Sequence, residues 1–356
     1  MDNVERKNLE VERRLKLKEE KPLVYNKIIN YDDKFKKGEC IAIIDFAFSE
    51  ICNMKCNHCC NSSFAKKKRF MTIRDIENLS AQADELGLAQ FCISGGEPLM
   101  FPELDDIIRA LQPDKFHLTM STNGVLLDKN RAKHLKETGL DKVKISLDSI
   151  DPFLHEENRD KKGVYSKAYE SLFNAKEAGL SVVIQTVITK QNARSEETVR
   201  LAKFAYENGF AVDALLVKAI GRLEGHHECL CTPEDVAFID NLHKEYPSVF
   251  RDIIPSYGID RGCNTVRNIL HVTKYGDVLP CVFIHISIGN IFEEPLKDII
   301  NRGLSIKHFH DYSPICLSGE DRNFIEKYMS KFYGKPLPIS YKEAFEDSDY
   351  IGGKRL

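Results

Sequence analysis

An alternation of short apolar segments with amphipathic helical segments limits the fold of this chain most strongly. The apolar segments, which predict six buried strands, lie at residues 41–48, 88–94, 116–121, 142–148, 181–188 and 212–217. Each is followed by a segment with helical periodicity, and the first of these begins at Thr72 and Asp75, two residues suited to capping a helix. The pattern predicts an α/β fold in which a parallel sheet curls into a partial (β/α)6 TIM-like barrel.

Polar and glycine-rich clusters stand at the carboxyl ends of the predicted strands. They are the cysteine-rich loop at 49–63, SGGEPL at 94–99, STNG at 121–124 and SLDS at 146–149. Loops at this end of a parallel barrel converge on one mouth, where the active sites of such barrels lie. The sequence therefore predicts one site built from these loops.

Composition and charge exclude several kinds of partner. The 356-residue chain carries a formal charge of −3 with acids and bases interleaved, so no strong field attracts nucleic acid or an anionic membrane. No apolar run approaches the roughly 20 residues that span a bilayer, and residues 1–22 contain no signal-peptide core. We therefore expect a cytoplasmic protein, in which clustered cysteines bind metal or perform redox chemistry more often than they form disulfides.

Four of the eleven cysteines fall within CNMKCNHCC at 52–60. Cys52, Cys56 and Cys59, the first cysteine set, have a C-x3-C-x2-C spacing that lets three thiolates converge on one inorganic centre. Structural zinc normally takes four ligands, whereas a cubane iron–sulfur cluster can take three and leave one iron open. The spacing alone leaves zinc as an alternative. The cysteines expected to be core thiols are Cys40, Cys60 and Cys92.

CNMKCNHC resembles the signature of the radical S-adenosylmethionine (SAM) superfamily, and the predicted partial barrel is similar to the core of that family. The resemblance implies a 4Fe-4S cluster on the first cysteine set, with SAM chelating the open iron. It also implies that an electron from the cluster cleaves SAM to a 5′-deoxyadenosyl radical, since hard radical chemistry is carried by cofactors that the protein positions.

SGGEPL resembles the second motif of the same family, in which glycines let the backbone approach the methionyl part of SAM. The cofactor-binding residues that the resemblance implies are Gly95, Gly96, Glu97, Pro98, Ser121, Asn123, Ser146 and Asp148. The glycine and glutamate pattern often seen near strand five is missing here. QTVITKQN stands in its place, with Thr186 and Asn192 as candidate substitutes.

A second group of cysteines lies downstream. Cys263 and Cys281 flank a segment in which YGD predicts a turn between two short strands. With Cys316, they form the second cysteine set, and residues 260–318 resemble the auxiliary-cluster extension of radical SAM enzymes in its short form, twitch, rather than the longer SPASM form. The resemblance implies a second iron–sulfur cluster whose fourth ligand is Cys229 or Cys231, or whose fourth iron stays open. Structural zinc is the alternative for this set.

Three segments near the predicted mouth carry further hypotheses. By resemblance to radical epimerases that return a hydrogen atom from a thiol, Cys231, or else Cys229, is a candidate catalytic residue. Arg222 is a candidate contact for an anionic substrate group, and a solvated or salt-bridged arginine is the alternative. KKKR at 66–69 is a candidate attractor for an acidic substrate or a flavodoxin- or ferredoxin-like reductant, with a solvated surface as the alternative.

These observations predict four regions: a charged N-terminal arm at 1–40, the barrel at 41–225, an auxiliary-cluster domain at 226–320 and a tail at 321–356. The predicted function is that of a radical SAM oxidoreductase, epimerase or maturase. It would abstract a hydrogen atom from a substrate carbon and so oxidise, epimerise or cross-link a carbohydrate-like small molecule or a ribosomal peptide. The sequence before Ile41 is too short for the leader-gripping winged-helix module of many peptide maturases, which weakens the peptide hypothesis. A non-catalytic iron–sulfur or zinc-binding protein is the alternative.

Overall fold

A computed structural model describes residues 15–61, 64–251, 262–263, 265–311 and 313–355. The predicted N-terminal arm therefore lies partly outside the described residues. Its described part is helical over residues 15–20 and continues through α1 (Pro22–Ile28) and α2 (Tyr31–Lys36). Lys21 Nζ contacts Asp141 Oδ2 at 2.5 Å, and the Ala89 N–H donates to the Tyr31 hydroxyl at 2.6 Å. Both partners precede barrel strands, so the arm packs on the amino-terminal end of the barrel.

The six predicted strands are present in sequence order, and all neighbours among them are parallel. They are β1 (Ile43–Ala47), β2 (Gln90–Ser94), β3 (His117–Thr122), β4 (Lys142–Ser146), β5 (Ser181–Ile188) and β6 (Ala211–Leu216). The helices among them are α3 (Ile73–Glu85), α4 (Leu104–Ala110), α5 (Lys129–Thr138), α6 (Pro152–Arg159), α7 (Tyr165–Glu177) and α8 (Glu196–Glu207). Thr72 and Asp75 form the expected capping box of α3. The fold prediction is confirmed, although α6 was not predicted.

Additional strands extend both edges of this sheet. After α9 (Pro233–Glu245), β7 (Val249–Arg251) pairs with β6, so the sheet continues past residue 225. At the other edge, the strands that follow β1 in the order of the sheet are β8 (Ile269–Val272), β9 (Asp277–Leu279) and β11 (Gly289–Asn290). β8 and β9 are antiparallel, and Gly276 lies between them with φ 79°, which confirms the predicted turn.

The tail packs against several loops at the carboxyl ends of the strands. The remaining elements are β10 (Ile286–Ser287), α10 (Leu296–Leu304), α11 (Lys307–His310), α12 (Arg322–Phe324), β12 (Ile339–Ser340) and α13 (Tyr341–Ala344). The Ala65 N–H donates to the Leu337 carbonyl at 2.7 Å, and the Gly334 N–H donates to Glu224 Oε1 at 2.7 Å. The tail thereby ties the loop after β1 to the loop after β6.

The sheet is strongly curled. β1 and β6 are five strands apart, which in a flat sheet corresponds to about 24 Å at roughly 4.8 Å per strand. Nevertheless, the Arg222 N–H after β6 donates to the Cys59 carbonyl after β1 at 3.1 Å. No helix within the described ranges is both long and apolar enough to cross a membrane.

The inward face of the barrel strands is polar, unlike the packed interior of a closed TIM barrel. Side chains that alternate with the buried apolar ones meet there, as in the contacts of Ser94 Oγ with Asp45 Oδ1 at 2.7 Å and of Lys144 Nζ with Asp213 Oδ2 at 2.9 Å. The Lys144 side chain retains 31% of its accessible surface although it reaches across two strand positions to Asp213. We call this accessible interior the lumen.

Candidate active site

The first cysteine set lies in the loop that follows β1. Cys52 is exposed, whereas Cys56 and Cys59 are half-buried. Side chains from neighbouring loops hold this loop in place. Asn123 Nδ2 donates to Asn53 Oδ1 at 2.7 Å, and Arg222 Nη1 donates to the Lys55 carbonyl at 2.8 Å.

Three glycines let other loops lie directly on the backbone of the cysteine loop. A Cβ atom on Gly96 would lie 2.0 Å from the Ile51 carbonyl oxygen, and one on Gly95 would lie 2.3 Å from that of Ser49. Gly221, after β6, is confined in the same way by the Cys59 carbonyl oxygen at 2.2 Å. The sequence explained Gly95 and Gly96 by close approach to SAM, and the structure adds their close approach to the cysteine loop.

Glu97 joins the loop after β2 to the loop after β3. It is 1% exposed and accepts hydrogen bonds from the Thr122 hydroxyl at 2.6 Å and the Asn123 N–H at 2.8 Å. Burial raises the pKa of this carboxyl, and these hydrogen bonds oppose the increase. Pro98 is buried at the start of a short 3-10 turn. The described contacts of Glu97 therefore orient the second motif against the β3 loop.

Ser121 and Ser146 lie near the carboxyl ends of β3 and β4, and Asp148 follows β4 by two residues. Ser121 Oγ lies 3.6 Å from Cys92 Sγ, and Ser146 is half-buried at the end of β4. Asp148 Oδ1 accepts a hydrogen bond from Arg159 Nη2 at 2.7 Å. Its second carboxylate oxygen is buried and has no hydrogen-bond partner within the described part of the chain. Asp148 thus keeps a free acceptor beside the first cysteine set.

Arg159 is a site residue that the sequence analysis missed. It ends α6, and its Nη1 lies 3.8 Å from Cys56 Sγ. Burial would raise the pKa of Asp148, but the adjacent Arg159 guanidinium, with smaller contributions from His58 and His155, holds it below its usual value. The signal was present in the sequence, because Asp151 caps α6 and Pro152 occupies its first position.

The second cysteine set is brought together by contacts distant in sequence. A hydrogen bond with Cys316 lowers the pKa of the Cys263 thiol, while burial and the nearby Cys281 oppose that change. The Cys263 N–H donates to the Ser313 carbonyl at 2.7 Å, and the Cys316 N–H donates to Glu320 Oε2 at 2.8 Å. Three thiols from three segments therefore share one region of the structure.

Other candidates from the sequence lie apart from these thiols or have structural contacts. Cys231 is buried, with its Sγ 3.5 Å from the Ile188 carbonyl oxygen, and Cys229 Sγ lies 2.9 Å from the His226 carbonyl oxygen. Thr186 lines a small cavity against Thr198 of α8, on the outer face of β5. These contacts do not test the role of Cys231 as a hydrogen-atom donor, which stays a prediction.

Other polar residues that the sequence analysis proposed for the site make contacts within the protein. Asn192 Nδ2 donates to the Val187 carbonyl at 3.0 Å. In the KKKR segment, Lys67 Nζ contacts Asp277 Oδ1 at 2.6 Å, and Arg69 stacks on Phe292 at 3.9 Å. At least part of that basic run is therefore structural.

The loop after β6 contacts both cysteine regions. Gly221 lies on the backbone of Cys59 and Cys60, as described above. A Cβ atom on Gly319 would lie 3.4 Å from Lys218 Cε, 3.6 Å from Cys316 Sγ and 3.7 Å from Leu216 Cβ. The two cysteine sets thus border the same end of the barrel.

The donor chemistry of these residues fits iron–sulfur clusters and SAM. Each set offers three thiols, and the free acceptor oxygen of buried Asp148 offers a contact for a polar group of SAM. Among the described residues, no group of three His, Cys, Asp or Glu side chains is arranged so that it could hold a single metal ion. In a cubane cluster each thiolate binds a different iron.

Comparisons with known proteins agree with this geometry. A profile for the radical SAM superfamily matches residues 46–202, and a profile for the SPASM iron–sulfur cluster-binding domain matches residues 263–318. An Fe-coproporphyrin III synthase of Methanosarcina barkeri is 29% identical over 70% of this chain and 70% of its own length. A GTP 3′,8-cyclase of Aquifex aeolicus is 29% identical over 46% of this chain, which spans only 52% of that enzyme.

Among solved structures, anSMEcpe with bound AdoMet and Cp18Cys peptide has the same fold, with a TM-score of 0.59 and 20% identity over 87% of this chain and 97% of that one. The cofactors of this protein are SAM, a 4Fe-4S cluster and an auxiliary iron–sulfur cluster. The downstream match is to the SPASM domain, whereas the sequence analysis favoured the short twitch form. The chain belongs to the radical SAM superfamily, with a radical SAM domain followed by a SPASM domain.

Proposed function

We propose that this protein uses SAM to abstract a hydrogen atom from a substrate carbon and then oxidises the resulting radical. The first cysteine set would hold the 4Fe-4S cluster, which supplies the electron that cleaves SAM. The second cysteine set would hold the auxiliary cluster, which supplies an acceptor for one electron. The substrate would thereby lose one hydrogen atom, one further electron and one proton.

The contact of the β6 loop with both cysteine regions carries this proposal. Gly221 fixes that loop against Cys59, and Lys218 borders the space beside Cys316. A substrate at this mouth would therefore lie near both the source of the radical and an electron acceptor. Oxidation is favoured over epimerisation because the Cys231 thiol is buried against β5.

Other chain residues would orient the cofactor and the substrate. Asp148, held by Arg159, would accept a hydrogen bond from SAM at its free oxygen. The loop of Gly95 and Gly96, tied to the β3 loop through Glu97, would position the methionyl part. These roles follow from the rigidity and the donor chemistry of the loops.

The lumen supports a polar substrate. Its charged and hydroxyl side chains include Asp45, Lys144 and Asp213, which are paired within the lumen, and an apolar substrate beside them would remove water from these groups without replacing its hydrogen bonds. The named relatives act on different molecules, to judge by the names GTP 3′,8-cyclase and Fe-coproporphyrin III synthase, and anSMEcpe was solved with a peptide. A carbohydrate-like small molecule and a polar peptide segment are both compatible with this lining.

The test is anaerobic reconstitution, reduction and addition of SAM, followed by measurement of 5′-deoxyadenosine. We expect 5′-deoxyadenosine from the wild-type protein and none from the Cys52→Ala/Cys56→Ala/Cys59→Ala variant. That variant should still hold about four irons on the second cysteine set. A wild-type protein with full iron content and no product would support the non-catalytic alternative.

A further inference from the structure

Lys218 occupies the space between the two cysteine regions. It follows β6 by two residues and is only 4% exposed. Its Nζ lies 4.2 Å from the centroid of the Phe283 ring, and Phe283 is two residues beyond Cys281. This lysine is therefore enclosed at the carboxyl end of the barrel.

The same side chain borders the third ligand candidate of the second set. Lys218 Cε and Cys316 Sγ lie 3.4 Å and 3.6 Å from the position that a Cβ atom on Gly319 would occupy. Because position 319 is glycine, the lysine stem and the sulfur both border the space that a side chain would fill there. Two segments of the second set, around Cys281 and around Cys316, thus contact one buried lysine.

The charge of Lys218 also affects the first cysteine region, where it acts on the thiol of Cys60. Its charge opposes the effects of burial and of Cys59, which raise the pKa of the Cys60 thiol to about 12. Cys60 is not one of the cluster cysteines predicted from the sequence. The Lys218 ammonium lies over the ring of Phe283, two residues beyond Cys281, and its Cε borders Gly319, three residues beyond Cys316. The Lys218 side chain therefore borders two of the three segments that carry the second set.

We propose that Lys218 is a positioning residue whose ammonium raises the reduction potential of the auxiliary cluster. Reduction adds one negative charge to a cluster, and a cation enclosed in a low-dielectric site stabilises that added charge. A higher potential makes the cluster a better acceptor for the electron that a substrate radical must lose. The inference rests on the proposed function, which requires a second cluster on Cys263, Cys281 and Cys316.

The experiment measures the midpoint potential of the auxiliary cluster by EPR-monitored redox titration. The Cys52→Ala/Cys56→Ala/Cys59→Ala protein serves as the parent, because its signal comes from the second cluster alone. Lys218→Met keeps the length of the side chain and removes its charge, Lys218→Gln keeps polarity without charge, and Lys218→Arg keeps the charge. Lys203→Met, at an exposed position on α8, is the matched control.

We expect Lys218→Met and Lys218→Gln to shift the midpoint to lower potential, while Lys218→Arg and Lys203→Met stay at the value of the parent. An unchanged midpoint in Lys218→Met with full iron content would overturn the role of Lys218 and leave the proposed function intact. A parent that binds no iron would overturn the second cluster and this inference together. Loss of iron in all three Lys218 variants would show that Lys218 only packs the site, which also refutes the charge effect.

The same variants with an intact first set extend the test to the complete enzyme. There, Lys218→Met should leave the reduction potential of the SAM cluster closer to wild type than that of the auxiliary cluster. An equal shift of both potentials would contradict a specific effect on the second cluster.

Discussion

The two cysteine regions of this protein are built in opposite ways. The first set occupies a single loop, and neighbouring loops press on its backbone through Gly95, Gly96 and Gly221. The second set comes from three segments that meet only in the folded chain, with Cys263 beside Cys316. A compact loop can be recognised from its spacing, whereas a site assembled from distant segments depends on everything that packs those segments together. The predictions below test that difference.

The largest expected effect separates two adjacent cysteines of the first loop. Cys59→Ala should remove about four irons and abolish 5′-deoxyadenosine formation, because the cluster would retain only two thiolates. Cys60→Ala should keep both the iron and the product, because Cys60 serves as a core thiol. Iron analysis and product quantification check both variants. Loss of the first cluster in Cys60→Ala would refute the assignment of the three ligands.

A single methyl group should break the first site while sparing the second. In Gly96→Ala the new Cβ atom would meet the Ile51 carbonyl oxygen at 2.0 Å, and neither backbone can yield without moving the cysteine loop. We expect loss of about four irons and retention of the auxiliary signal in EPR spectra.

Gly163→Ala is the matched control for this variant. Gly163 has φ 73° and no neighbour within 4 Å, so the substitution tests backbone strain without a clash. It should keep both clusters. Full iron content in Gly96→Ala would contradict the tight packing of the second motif on the cysteine loop.

The next effect concerns the buried ion pair beside Cys56. Arg159→Gln leaves Asp148 charged and buried without its partner, which should cost about 3 kcal/mol of unfolding free energy and weaken SAM binding. Asp148→Asn should weaken SAM binding too, and the double variant should be more stable than the sum of the two single losses predicts. Thermal unfolding and equilibrium binding of SAM provide the measurements. Additive losses would show that the two residues act independently.

The smallest effect is a pH dependence at the junction of the second region and the tail. His285 is 1% exposed between Phe64 and Phe332, and burial lowers its pKa to about 3. In the unfolded chain, His285 takes up a proton near pH 6.5, whereas in the folded protein it stays neutral until the pH is far lower. The free energy of unfolding therefore falls as the pH drops below about 6.5. Between pH 8 and pH 6 this residue should contribute a loss of about 0.8 kcal/mol.

His285→Gln should remove this loss, so that its melting temperature falls by about 1 to 2 °C less than that of the wild type over the same pH range. Calorimetry at the two pH values measures the difference. His226→Gln, at an exposed position, should behave as the wild type. Equal pH losses in the His285 variant and the wild type would contradict a buried neutral imidazole.

The sequence predicted the barrel well because strand and helix periodicity are local. The bounds of β5 agree with the predicted segment, and the Thr72 cap was identified from two residues. The candidate site was only partly predictable. α6 was missed because the segment after β4 was treated as a loop, and Arg159 was missed with it.

By itself, the sequence determined the six strand–helix units, the first cysteine set and the motif at Gly95 and Gly96, since each is written in neighbouring residues. Only the tertiary structure decided that the Asp148–Arg159 pair flanks Cys56, that the three distant cysteines meet, and that Lys218 lies between the two regions. These contacts arise from the curl of the sheet, which brings the loop after β6 onto the loop after β1. That curl results from the packing of the whole barrel, and no short stretch of sequence encodes it.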